Sequence, residues 1–160
     1  MHAYSSSVVP GSSAHVSFTV HGLVYVLGSV SVNVCSIDDN DFFIRGCLDI
    51  PVIGSADTFS WGVWCSVSRV NFATYREVFD EPLQSHVGPF FGWFSVRLPG
   101  YPDTLNLKVM AHLRDQRMRP AFELEESGHP LSIECRQGIS AERLQEIYEA
   151  NLHAGPIGPP

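Results

Sequence analysis

Arg45 in "DFFIRGCLDI", Trp64 in "FSWGVWCSVS", Trp93 and Arg97 in "FFGWFSVRLPG" and His112 in "NLKVMAHL" all fall within strand-like runs. Each is out of phase with the apolar residues of its run, such as Phe42, Ile44, Leu48 and Ile50, or Leu105, Leu107, Val109, Ala111 and Leu113. Period-two alternation therefore places the five on the sheet face opposite the core. A guanidinium beside an indole suits a planar or anionic ligand, because it stacks on the ring and still donates hydrogen bonds. Pro99 and Gly100 fit the centre of a type II turn, with glycine taking the positive φ, which sets Tyr101 and Asp103 at the rim of that face. Arg45, Trp64, Trp93, Arg97, Tyr101, Asp103 and His112 form the candidate ligand-binding set. The plain alternative is an outer sheet face with solvated charges. Trp64, among Ser60, Gly62 and Ser66, must in either case be covered by a helix or a partner.

Catalytic chemistry has thinner support. Of seven histidines, His112 and His129 sit in the best-patterned regions. His112 near Glu123 across a hairpin makes an acid–base pair conceivable, although a cross-strand salt link explains the pair equally. His129 precedes Pro130 and reads as a helix-start residue. There is no Gly-x-Ser-x-Gly elbow, phosphate-binding glycine loop or His-Glu-x-x-His, so no residue is assigned a catalytic role. The cysteines Cys35, Cys47, Cys65 and Cys135 form no Cys-x-x-Cys pair, so neither metal nor cofactor is expected. Asp38, Asp39, Asn40 and Asp41 lack the twelve-residue ligand spacing of a calcium loop and read as a hairpin turn.

The elements that must position these side chains follow from pattern and composition. A chain of 160 residues with 44% hydrophobic and 17% charged residues is a single globular domain, large enough to fold without disulfides or metal. Its net charge of −7 argues against a nucleic-acid surface, and the excess of nine arginines over one lysine (Lys108) reads as codon bias in a GC-rich genome. The first 37 residues hold no Asp, Glu, Lys or Arg. They lack the basic start of a secretory signal, and glycines and serines interrupt the apolar run that a spanning helix needs. Alternation there predicts two or three strands separated by Gly22 and Gly28. Free thiols and the absence of a signal point to the cytoplasm. Residues 1–14 and 154–160 are expected to be flexible, around an α+β domain at 15–153.

Ser68 N-caps a helix carrying Phe72, Tyr75 and Phe79 on one face. Strands follow at 90–98 and 105–113, then a shorter one in "RPAFELE". Pro130 and Gly138 bracket a short helix. A final helix starts near Ser140, with Leu144, Ile147, Tyr148 and Leu152 on its buried side. Short turns between period-two strands predict a mainly antiparallel sheet of about five to seven strands with about three helices, two of them C-terminal.

The blocks "CSIDDNDFFIRGCLDIPVIG", "FSWGVWCSVS", "GPFFGWFSVRLPGYPDTLNLKV" and "RPAFELEESGHPLSIECRQGIS", with the final helix, resemble the bacterial family known as domain of unknown function 2199, over about residues 35–153. The chain lacks the Cys-x-x-Cys-Gly pair with which members commonly begin, so the resemblance implies no zinc role here, and it implies no activity. The expectation is a module that binds a small ligand or a protein through its Trp/Arg face, without nucleic acid or membrane. Two alternatives stand beside it. An acidic compact protein could neutralise a basic toxin as an immunity-type partner, or the chain could be an enzyme using the His112–Glu123 pair.

Overall fold

The computed structural model describes residues 17–20, 23–30 and 33–154, with side chains described over 33–152. The expected flexible ends lie outside this range, except that Ala154 closes the last helix. In chain order the elements are β1 (Ser17–Val20), β2 (Leu23–Val30), β3 (Val34–Ile37), β4 (Asp41–Pro51), β5 (Thr58–Val67), α1 (Arg69–Val78), β6 (Phe90–Phe94), β7 (Lys108–His112), β8 (Ala121–Leu124), α2 (Pro130–Gln137) and α3 (Ala141–Ala154). β2 runs straight through Gly28, where a strand break was expected, and its register to β3 shifts between Leu27 and Ser29. Glycine there accommodates a bulge rather than a turn.

Six strands, β3 to β8, form a mixed sheet that closes on itself. β4 is long enough to share one edge between two partners. Its first half pairs with β3 (Val34↔Ile44), and its second half pairs with β8 (Cys47↔Ala121). The α+β class and the three helices agree with the sequence, but the mainly antiparallel sheet does not, because β8 lies parallel to β4. The reason is arithmetical. β4, β5, β6, β7 and β8 alternate in direction around the ring. An odd number of alternating strands can close only by pairing two that point the same way.

Closure turns the two sheet faces into an inside and an outside. Ile44, Leu48, Ile50, Val63, Cys65, Phe90, Phe94, Val109, Ala111, Phe122 and Leu124 are buried and share the inward parity of their strands. Burying each large side chain contributes roughly 1.5–3 kcal/mol. Gly46 has the same parity, and a Cβ there would stand 2.4 Å from the Phe122 ring, so glycine is what lets that ring into the barrel.

The Ser68 hydroxyl accepts from the Asn71 amide at the start of α1, and Phe72 packs on Phe42 with centroids 5.0 Å apart. His129 caps α2 by accepting from the Leu131 amide through Nδ1, and Gly138 ends it at φ 82°. In α3, Ile147 is buried and Leu144 half-buried. Tyr148 and Leu152 are both exposed, but the Tyr148 ring still meets Phe59 of β5 edge to face with centroids 5.8 Å apart, so of the expected buried side only Leu152 stands clear in solvent. β6 and β7 are shorter than the expected strands. Between them Asn106 takes φ 61°, and buried Thr104 donates to the Val96 carbonyl and accepts from the Leu98 amide. Side-chain bonds replace the ladder there.

Candidate ligand-binding surface

Register places the outward residues in rows that cross the barrel wall. Trp64 pairs with Arg45, and its carbonyl accepts from the Ser95 amide. The neighbouring row runs Phe43, Ser66, Trp93, Lys108. Adjacent outward positions on one strand are about 6.6 Å apart, so Arg45, Trp64 and Trp93 occupy two neighbouring rows. His112 lies four residues beyond Lys108 on β7, roughly 13 Å along the strand from the Trp93 row, and meets the Arg45 side only through β8, where it pairs with Ala121, the partner of Cys47. Its Nε2 lies 3.0 Å from Glu123, and both side chains are exposed.

The members of the set have different surroundings. Trp64 is only 5% exposed, whereas Trp93 is 41% and Phe91 43% exposed. These two rings meet edge to face with centroids 5.1 Å apart. Arg97 pairs with Asp103 at 3.2 Å, and Asp103 also accepts from the Leu105 amide. Tyr101 turns away from the set. Its hydroxyl donates to Glu134 of α2, and the guanidinium of Arg143 from α3 lies 5.0 Å from its ring. Arg143 in turn bonds Glu134, Glu146 and the Gly100 carbonyl. Burial first, and then the bond to Glu134, push the Tyr101 hydroxyl well above the ordinary tyrosine range. This network ties the Pro99-Gly100 turn to both C-terminal helices.

Beside Trp93 is a cavity of about 230 Å³. Trp93, Leu107 and Leu124 provide its apolar lining, and Lys108, Glu125 and Ser132 are among its polar groups. Lys108 and Glu125 pair at 3.2 Å, and Ser132 donates to the Glu125 carbonyl. Lys108 shares the outward parity of Trp93, and the Glu125 amide donates to its carbonyl. The contribution of Ser132 comes from α2 crossing the end of the ladder, which no periodicity announces. Arg45 is half-buried, and its guanidinium lies over Gly62, where a Cβ would stand 3.4 Å from Nη2. Burial, and then the Arg119 guanidinium, lower its pKa.

The model of a family described as "Uncharacterized protein conserved in bacteria (DUF2199)" matches residues 21–139. The chain belongs to this family. No curated protein and no solved structure matches it. The matched range spans β2 to α2, and so includes the Trp93 cavity and the Arg45–Trp64 row, while α3 follows it. Among the described residues no group of three or more His, Cys, Asp or Glu is placed to hold a metal ion, and no helix is long and apolar enough to cross a membrane.

Proposed function

We infer that the protein is a small-ligand-binding module whose anchor is Trp93. The observation that carries this reading is the exposure of Trp93 at the wall of a cavity that also offers a cation and an anion. Trp61 and Trp64 are buried, so an indole left 41% exposed on a half-apolar surface stands out as a contact group. At about 230 Å³ the cavity falls below the roughly 300 Å³ at which drug-sized sites begin. A small planar compound with a charged end fits it. The plane lies on Trp93, Leu107 and Leu124, and the charge meets Lys108 or Glu125 by opening their exposed pair, which costs little.

Trp93 is also the most exposed indole of the three, so its emission reports on the site. Titration with aromatic amino acids, aryl carboxylates and arylamines is expected to give saturable quenching by at least one class. Trp93→Leu should remove the response while leaving Tm within about 2 °C, as for surface substitutions. A response that persists in Trp93→Leu, or a panel that never saturates below 10 mM ligand, would refute the assignment.

A further inference from the structure

The edge of β4 changes partner from β3 to β8 at Arg45, and two arginines flank that fork. The Arg45 amide donates to the Asn33 carbonyl at 2.9 Å, and Arg119 Nε donates to Asn33 Oδ1 at 3.0 Å, so one asparagine braces both. Counting back two residues on each strand from Cys47↔Ala121 sets Arg119 level with Arg45 in the row that continues to Trp64. The next row along is Gly62, Cys47 and Ala121, all small, and ends on His112. Arg114 Nε holds the Arg119 carbonyl at 2.6 Å and brings a third guanidinium to the segment.

Arg45, Arg114 and Arg119 are half-buried, and none makes an ion pair within 4.0 Å among the described residues. Arg45 Nε is buried without a hydrogen-bond partner. Glu123, one row beyond Ala121, is held by His112. The undescribed stretches add no acidic side chain, because residues 1–37 and 155–160 contain no Asp or Glu. A guanidinium has five N–H donors and no acceptor, so half-burial with no carboxylate partner among the described residues leaves donors available to a ligand. One carboxylate satisfies one guanidinium fork. Two forks on a floor of small side chains suit a doubly charged group with three acceptor oxygens.

We propose that Arg45 and Arg119 form a binding site for a phosphate group, free or as the monoester of a small molecule, on the outer barrel wall over Cys47 and Gly62. The site is independent of the Trp93 cavity, since neither arginine lines it. Arg45 supplies the guanidinium over Gly62 and Arg119 the second one, while Asn33 holds the Arg45 backbone and the Arg119 side chain.

The test uses the full chain titrated with inorganic phosphate, glycerol phosphate and acetate, each against sodium chloride at matched ionic strength, followed by Tm and by calorimetry. At least one phosphate is expected to saturate and raise Tm, with acetate at least tenfold weaker. The comparison of inorganic phosphate with glycerol phosphate tells free ion from ester. Arg45→Gln should weaken binding at least tenfold, with Tm in chloride no lower than that of the parent, because among the described residues Arg45 has no ion pair and its Nε no hydrogen-bond partner. Arg45→Lys, which keeps the charge and loses the fork, should fall between. Arg119→Gln gives up its Asn33 bond and is read only where its circular dichroism is native. Phosphate effects no larger than those of chloride or acetate, or phosphate binding unchanged in Arg45→Gln, would overturn the site.

Discussion

The Tyr101 hydroxyl donates to the Glu134 carboxylate across 33 positions of chain, and fastens the turn after β6 to α2. Tyr101→Phe should lower stability at neutral pH by about 1 kcal/mol, the usual net value of such a bond. The folded pKa of Tyr101 is raised by burial and by this bond. Above the ordinary tyrosine value of about 10, the unfolded chain therefore releases a proton that the folded chain keeps. Stability falls as pH rises through that window. Urea midpoints measured from pH 8 to 11 should show the gap between parent and Tyr101→Phe narrowing above pH 10. A constant gap would show that the hydroxyl is not held protonated.

Gly46→Ala should be among the most damaging small substitutions in the chain. The new Cβ would lie 2.4 Å from a ring carbon of Phe122, inside a closed barrel where that side chain has little room to retreat. Overpacking of this kind typically costs 1–3 kcal/mol. Phe122→Leu in the same background should recover part of the loss. A thermal melt of the single and double variants reads both outcomes.

Thr104→Val keeps the shape and removes the hydroxyl. In the buried pocket between Val96 and Leu98 it leaves one carbonyl and one amide without partners. The expected loss is about 1–3 kcal/mol, with faster amide exchange at Leu98 as the local signature. Thr104→Ser, which retains the bonds, should lose less.

The cysteines should separate by reactivity. Cys35 and Cys65 are fully buried, and burial pushes the Cys35 thiol up to about 11 and Cys65 higher still. Cys135 is pushed up to about 12 by burial and then by Glu134. Cys47 is half-buried on the outer wall beside Gly62. Alkylation of the native protein at pH 8, read by peptide mass spectrometry, should label Cys47 first and Cys65 last, because the thiolate is the reacting species. If the phosphate site over Cys47 exists, phosphate should slow that labelling.

His112 and Glu123 form an exposed pair, and exposed pairs contribute about 0.2–1 kcal/mol. Glu123→Gln should therefore shift Tm by no more than a few degrees at low salt and less at 1 M salt. A larger, salt-insensitive loss would mean that the pair does more than link two strands.

Much of the local structure was legible in the sequence. Ser68, His129, Pro130 and Gly138 mark helix ends because capping chemistry acts within three or four residues. Gly100 marks a turn because only a positive φ, here 82°, closes it. Inward and outward parity of β4, β5 and β7 followed from alternation, which is also local. The parity of Trp64 was therefore legible while its burial was not, since burial depends on what other parts of the chain bring over it.

The sequence by itself determined the α+β class, the helix count, the outward parity of Arg45, Trp93 and His112, and the family. Only the tertiary structure decided how the sheet ends and which outward residues meet. Barrel closure follows from β8 returning to the free half of the β4 edge, a pairing across some seventy positions that leaves no period in either strand. That return sets Arg119 level with Arg45, puts His112 at the end of the neighbouring row through its pairing with Ala121, and brings α2 to the Trp93 cavity. Alternation fixes which side of a strand a residue faces, but register between distant strands fixes its neighbours, and register is settled by the packing of the whole barrel.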